Sequence, residues 1–339
     1  MSLDLARLEA WLGEHVPGYV GAPALERFPG GQSNPTYRLR AASGEYVLRR
    51  KPEGALLASA HAVDREFRVM RALAGTGVPV ARTYALCEDA AIIGSSFYVM
   101  EYVAGRVFWQ QTLPDIAPAH RRAMFCSMNE TIAALHSVDF SAVGLAGFGR
   151  PENYLARQIA RWTKQYRAAE TAPIAAMDRL IKWLPAHMPA RDATGIVHGD
   201  FRIDNLIFHP TEPRVVAVLD WELSTLGDPV VDFAYHVMSW RISPELFRGL
   251  AGIDLAAAGI PTEAEYVAAY FARTGQRPVA HWDYYIVFSL FRMAAILQGI
   301  MRRALDGTAA SAEAVDVGGR AGRIAQQAWA LAETLPSSA

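Results

Sequence analysis

Two apolar runs around a polar loop, between residues 196 and 222, constrain this chain more than any other feature. The first reads Ile196-Val197-His198-Gly199-Asp200-Phe201-Arg202-Ile203-Asp204-Asn205-Leu206-Ile207-Phe208, and the second Val215-Val216-Ala217-Val218-Leu219-Asp220-Trp221-Glu222. Short β-branched and aromatic runs bounded by turn formers read as strands. Asp200 and Asn205 sit in the loop, and the second run ends on Asp220. Such an arrangement lets two carboxylates and one amide converge at the end of a hairpin. An isolated Asp-x4-Asn usually only hydrogen-bonds its own turn. The flanking strands and the strand-terminal aspartate set this one apart.

Periodicity organises the rest. Residues 3–14 read as a short amphipathic helix, with Leu3, Leu5, Leu8 and Leu12 near one face. Extended runs follow at Leu25–Phe28, Thr36–Arg40 and Glu45–Arg50, broken at Pro29-Gly30-Gly31 and Ala42-Ser43-Gly44. Val63–Leu73 has helical spacing, and Thr83–Cys87 and Ser96–Tyr102 read as two more strands. Past Gly105 the pattern turns helical, at 118–136, 152–168, 174–187, 229–239, 262–272, 280–304 and 311–333. Tyr284–Met301 is apolar nearly all round, as in a helix buried at the centre of a domain. The expectation is an α+β chain of two lobes: a small antiparallel-sheet lobe over residues 1–104 and a large, mainly helical one over 105–339, with a cleft at 101–106.

Phosphoryl transfer asks a protein for a base that orients the incoming hydroxyl and for oxygen ligands that hold magnesium on the phosphates. Asp200 suits the first task, Asn205 and Asp220 the second. The ordered set of motifs resembles aminoglycoside phosphotransferases and choline-kinase-like enzymes. His198-Gly199-Asp200-x4-Asn205 looks like their catalytic loop, parallel to the H-R-D-x-x-x-x-N loop of protein kinases. Leu219-Asp220-Trp221-Glu222 stands where those carry D-F-G. The resemblance implies a protein-kinase-like fold, ATP as phosphoryl donor and Mg2+ as metal. Residues 1–104 become a nucleotide-binding lobe, and 105–339 a catalytic and substrate-binding lobe. Glu222 either supports a second magnesium or bonds neighbouring backbone, and His198 reads as a packed organiser of the loop.

Other positions follow from the same resemblance. Gly30, Gly31, Ser33 and Asn34 fall where the family places its phosphate-covering loop, and glycine lets amides approach phosphate closely. Strand alternation puts Val47 and Arg49 on one face, away from Tyr46 and Leu48. Arg49 stands at the phosphate-binding lysine position, and an arginine fork can serve there. Lys51, on the same face, is the alternative. Glu66 fits the helix carboxylate that pairs with this cation, the alternative being an exposed helix charge near Arg65 and Arg68. Met100, Glu101 and Val103 fall at the adenine-facing strand and hinge. Asp228 and Pro229 are suited to start a helix, and Asp232 to brace the catalytic loop.

Seven residues separate Asp220 from Asp228, so there is no room for the long activation segment of a peptide kinase. A small hydroxylated substrate fits better. Residues 221–339 are only marginally more acidic than basic, a poor trap for polycationic aminoglycosides. Arg292, Arg302 and Arg303 on or near the long helix hint at an anionic acceptor. The helix Trp282–Ile296 resembles kinase-like domains attached to some acyl-CoA dehydrogenases, which implies a hydroxyacyl-CoA or related hydroxy acid. Trp109, Tyr154, Trp162, Arg292 and Gln298 are candidates to line the acceptor pocket. The competing readings are a pseudokinase, an acyl-CoA-binding accessory protein, and a kinase of aminoglycosides or choline-like alcohols. A net charge of -1 gives no field toward nucleic acid or anionic membranes. Two cysteines supply no disulfide framework, and no uninterrupted apolar run reaches spanning length. The expectation is a soluble cytoplasmic protein without nucleic-acid or membrane partners.

Overall fold

In the computed structural model, residues 3–28, 34–52, 63–191, 193–309 and 312–336 are described. They fall into two units. The first holds the described residues of Met1–Val107, Ser141–Leu145 and Asn205–Ser224, and the second those of Phe108–Phe140, Ala146–Asp204 and Thr225–Ala339.

In the first unit, Asp4 caps helix α1 (Leu5–His15), its carboxylate accepting from the Arg7 amide at 3.1 Å. There follow β1 (Ala24–Arg27), β2 (Thr36–Ala41), β3 (Gly44–Arg50), α2 (Val63–Leu73), β4 (Thr83–Cys87), α3 (Ala90–Ile93) and β5 (Phe97–Glu101). The strands form one antiparallel sheet in the order β1-β2-β3-β5-β4. Register pairs Thr36 with Arg49, Val47 with Met100 and Arg49 with Tyr98. Because strand side chains alternate, these residues share one face. The other face carries Leu39, Tyr46, Leu48, Phe97 and Val99, which pack with Leu8, Leu12 and Ile93 into an apolar core. Burying each such aliphatic side chain is worth about 1.5–3 kcal/mol. That core ties down α1 and leaves the opposite face for polar work.

The second unit begins with α4 (Pro118–His136), α5 (Tyr154–Ala169), α6 (Ala175–Ala186) and β6 (Gly195–Val197). The hairpin β7 (Leu206–Phe208) and β8 (Val215–Val218) then groups with the first unit. Arg106 and Phe208 exchange main-chain hydrogen bonds of 2.8 Å, and the Val218 amide donates to Pro79 at 2.9 Å. Gly105 makes the first of these contacts possible. A Cβ there would lie 2.3 Å from both the Phe208 oxygen and an Ile207 methyl. Division at residues 104 and 105 therefore differs from the observed grouping chiefly in this hairpin, whose backbone pairing runs to residues far earlier in sequence.

Strand β9 (Thr225–Gly227) returns to pair with β6. It leads into α7 (Pro229–Val237), which starts on Asp228, whose side chain accepts from the Val230 amide at 3.0 Å. Short helices α8 (Pro244–Phe247) and α9 (Leu255–Ala258) precede α10 (Glu263–Thr274), α11 (Trp282–Leu305), α12 (Ala314–Gly319) and α13 (Ala321–Glu333). The single helix expected over 311–333 is two. Gly318 brings α12 so close to α11 that a Cβ would sit 2.7 Å from Met301, and the chain turns at Arg320 to continue as α13. Helix α11 is long and apolar enough to cross a membrane by length and composition, yet 78% of its apolar window is buried inside the protein. It contacts α5, α6, α7, α12 and α13, as a central core helix does.

Candidate active site

The polar face of the first unit's sheet carries a cluster of candidate residues. From β3, the Arg49 Nε lies 2.9 Å from Glu66 of α2, and its Nη2 lies 2.8 Å from Asp220 and 3.9 Å from Glu222. Glu66 also accepts from the Asn34 amide at 2.7 Å and the Tyr98 hydroxyl at 3.1 Å. Burial pushes the Glu66 carboxyl up to about 7, against the pull of Arg49 and of the Tyr98 hydroxyl. Burial works against the Arg49 charge, but Glu66, Tyr98, Asp220 and Glu222 more than offset it and hold the guanidinium protonated. The cation the resemblance placed at Arg49 is thus the one that meets Glu66. Lys51 hydrogen-bonds through its backbone to Ser95 and Ser96.

Asp220 stands just past the end of β8, at φ 61° and ψ 64°. This left-handed backbone is uncommon outside glycine and is characteristic of functional turns. The Leu219 amide donates to the Asn205 carbonyl at 2.8 Å, holding the loop end and the strand end together. Glu222 lies in the turn Trp221–Leu223, which packs against α2. Asn205, Asp220 and Glu222 offer an amide and two carboxylates, the hard oxygen donors magnesium takes. Among the described residues no group of three or more His, Cys, Asp or Glu side chains is placed to hold a metal ion, and the donor set here is one amide and two carboxylates. That composition suits Mg2+, which commonly takes one or two carboxylates and completes its shell with phosphate oxygens and water.

Of the remaining first-unit candidates, Val47, Met100 and Glu101 lie in the same sheet. Val47 and Met100 are buried neighbours across β3 and β5. The Glu101 amide is occupied by the Arg82 carbonyl at 2.8 Å, and its carboxylate accepts from the Arg82 amide at 3.2 Å. Val103 is half-buried in the segment after β5. Gly30, Gly31 and Ser33 lie outside the described residues. Asn34 is fully buried on Glu66.

The second unit holds the loop bearing Asp200. Asp232 of α7 accepts from the His198 amide at 2.7 Å and the Gly199 amide at 2.9 Å, and meets His136 Nε2 at 3.2 Å. Burial alone would raise its carboxyl, but the His136 contact and the His198 amide draw it below the usual aspartate value. Gly199 has φ 86°, open to glycine at little cost, and this turn lets two successive amides face one carboxylate. His198 is fully buried, and its Nδ1 accepts from the Asp200 amide at 3.2 Å. Asp200 itself is partly exposed and lies 3.4 Å from Arg202, which also meets Asp204 at 2.7 Å.

Of the five pocket candidates, Tyr154, Trp162 and Arg292 come together. The Arg292 guanidinium lies 5.0 Å from the Trp162 ring centre, and its charge acts on the buried Tyr154. Trp109 is elsewhere, exposed beneath Arg248 at 5.4 Å, and Gln298 donates to Thr171 at 2.7 Å. Sequence reading missed Tyr98, Arg161 and Tyr235. Tyr98 of β5 was legible in principle, because it pairs with Arg49 of the neighbouring β3; an aromatic strand residue simply reads first as core. Tyr235 lies three residues after Asp232, hence on the same helical face. Nothing in the sequence singles out Arg161.

The phosphotransferase enzyme family model matches residues 24–282 of this chain. Acyl-CoA dehydrogenase family member 10 of Mus musculus is 49% identical over 327 residues, spanning 96% of this chain and 30% of its own length. This chain therefore corresponds to less than a third of that relative. A crystal structure from Ralstonia eutropha JMP134, provisionally named an aminoglycoside phosphotransferase, is 55% identical with a TM-score of 0.91, covering 98% of this chain and 99% of that one. A thermostable mutant of aminoglycoside phosphotransferase APH(4)-Ia, solved with AMP-PNP and hygromycin B, has a TM-score of 0.62 over 94% of this chain and 98% of its own. At 16% identity that is a likeness of fold alone. The sheet-bearing and helical units are those of the protein-kinase-like fold. With residues 24–282 matched and relatives near half identical, the chain belongs to the phosphotransferase enzyme family.

Proposed function

We propose that this chain is a magnesium- and ATP-dependent kinase that phosphorylates a hydroxyl group of a hydroxyacyl-CoA or related hydroxy acid. The observation that carries the reading is the first-unit constellation: Asn205 and Asp220 tied at one hairpin end, beside the Arg49–Glu66 ion pair. Asn205 and Asp220, with Glu222, are the residues to hold magnesium, which when bound neutralises charge on the phosphates of ATP. Arg49 offers a planar fork to phosphate oxygens once it exchanges Asp220 for them. Asp200 accepts a hydrogen bond from the acceptor hydroxyl, orients it and takes its proton as the new oxygen–phosphorus bond forms and the bond from the γ-phosphorus to the bridging oxygen breaks, with ADP as the leaving group. Asp232 keeps the loop in shape through the His198 and Gly199 amides. The dehydrogenase relatives support an acyl-linked acceptor, and the charge balance of residues 221–339 argues against an aminoglycoside.

The Arg49–Asp220 contact of 2.8 Å also favours a second reading, a nucleotide-binding module without turnover, because it engages a metal carboxylate. Transfer of labelled phosphate from ATP separates the two, with hydroxyacyl-CoAs, free hydroxy acids, choline and kanamycin as acceptors and magnesium present or chelated. Magnesium-dependent labelling of a hydroxyacyl compound supports the kinase. Nucleotide binding with no labelled acceptor in the panel sinks it.

A further inference from the structure

Resting on the kinase reading, and extending it to the acceptor, is a group in the second unit that the catalytic loop does not use up. Helix α5 presents Tyr154, Arg161 and Trp162, helix α7 presents Tyr235, and helix α11 presents Arg292. Two guanidinium groups flank the Trp162 ring, Arg161 at 5.5 Å and Arg292 at 5.0 Å from its centre. Arg292 is 5% exposed and lies 3.9 Å from the centre of the Tyr235 ring. It donates through Nη2 to the Gly199 carbonyl, next to Asp200, while its Nε has no hydrogen-bond partner. The buried Trp162 Nε1 has none either. Arg161 is exposed to solvent. Partial desolvation by the protein around its guanidinium lowers its pKa, and the like charge of Arg292 lowers it further. Among the described residues neither arginine has a carboxylate within ion-pair distance.

A buried guanidinium normally has a carboxylate or a full set of acceptors, because leaving it short costs more than an ordinary hydrogen bond gains. Here two cations and an indole N–H converge with no protein anion. We propose that Arg161, Trp162 and Arg292 form the recognition site for an anionic group on the acceptor, a carboxylate or a phosphate, held near the hydroxyl that Asp200 orients. Arg292 forms the floor, through its hold on the Asp200 loop. Arg161 forms the solvent-facing rim, and Trp162 lies between them as a planar wall and donor. A carboxylate would come from a free hydroxy acid, and a phosphate from the coenzyme A of a thioester.

The test reads binding apart from turnover. Tryptophan fluorescence of the full chain is titrated with inorganic phosphate, 3-hydroxybutyrate and coenzyme A, for the native protein and for Arg161→Gln, Arg161→Glu and Trp162→Phe. The expected result is a saturable change with at least one probe. It disappears in Trp162→Phe and weakens about tenfold or more in Arg161→Gln, the loss expected for one charge-assisted hydrogen bond. Arg161→Glu abolishes it. A response to 3-hydroxybutyrate alone assigns the site to carboxylate, and a response to phosphate and coenzyme A assigns it to phosphate. No saturable response to any probe, or one indifferent to both Arg161 variants in protein with a native thermal transition, overturns the proposal. Anion binding that depends on Arg161 in a protein that labels no acceptor supports this site while sinking the kinase reading, so the two failures are distinguishable.

Discussion

At the residue scale, the two charged centres make different demands. Asp200→Ala is expected to lower kcat by about 10²–10⁴-fold, the usual contribution of a positioned base, with nucleotide affinity retained. Steady-state kinetics beside equilibrium ATP binding check this; near-native turnover removes Asp200 from the proposed role. Arg49→Ala is expected to weaken ATP binding where Lys51→Ala does not, because Arg49 is the cation held on Glu66 and Asp220. The reverse order of effects would move the phosphate contact to Lys51. Glu66 carries a pH signature. Its carboxyl is raised from the ordinary 4.5 to about 7, so its protonated form is favoured by folding. The stability it contributes is complete below about pH 4.5 and is lost as pH rises through about 7. Ligand-free protein should therefore lose stability across that window, and Glu66→Gln should flatten the decline in a series of thermal melts.

At the element scale, the loop bearing Asp200 is held less by its own sequence than by α7. Asp232 serves two loop amides and His136 from one buried carboxylate. Asp232→Asn keeps the shape but removes the charge and turns one acceptor into a donor. It is expected to cost about 1.5–3 kcal/mol, the range for hydrogen bonds to a charged group, measured by denaturant unfolding. An unchanged midpoint would mean the loop is organised elsewhere. Gly105 plays a comparable part for the β7–β8 hairpin, where close approach to Phe208 leaves no room for a methyl group.

At the scale of the whole molecule, a ligand that binds only the folded protein stabilises it by mass action. Magnesium with ATP at a hundred times its Kd should add about 2.7 kcal/mol. That shift should shrink with ATP alone, and be largely absent in Asp220→Asn, if Asp220 is a metal ligand. Differential scanning calorimetry with and without chelator reads it. The central α11 bears on the same scale, because its composition fits a membrane span while its burial among five other helices fits a core. Composition alone does not separate the two, since both environments are apolar on every side.

The sequence by itself determined most of the elements and singled out the loop proposed to be catalytic. Helical and strand periodicity depend on which side chains must leave water, and a loop of His198-Gly199-Asp200-x4-Asn205 between apolar runs is short enough to be read locally. Alternation alone already separated Arg49 from the Tyr46 and Leu48 face, as the register of β3 bears out. Tertiary structure alone decided which distant groups share a charge: that Glu66 meets Arg49 and Tyr98, that Asp232 serves the His198 loop, and that Arg161 and Arg292 flank one indole. The same limit hid the break at Arg320, set by how closely Gly318 lets one helix approach another. Periodicity reports a residue's distance from water, whereas a site depends on the distances between residues on different elements, and packing sets those.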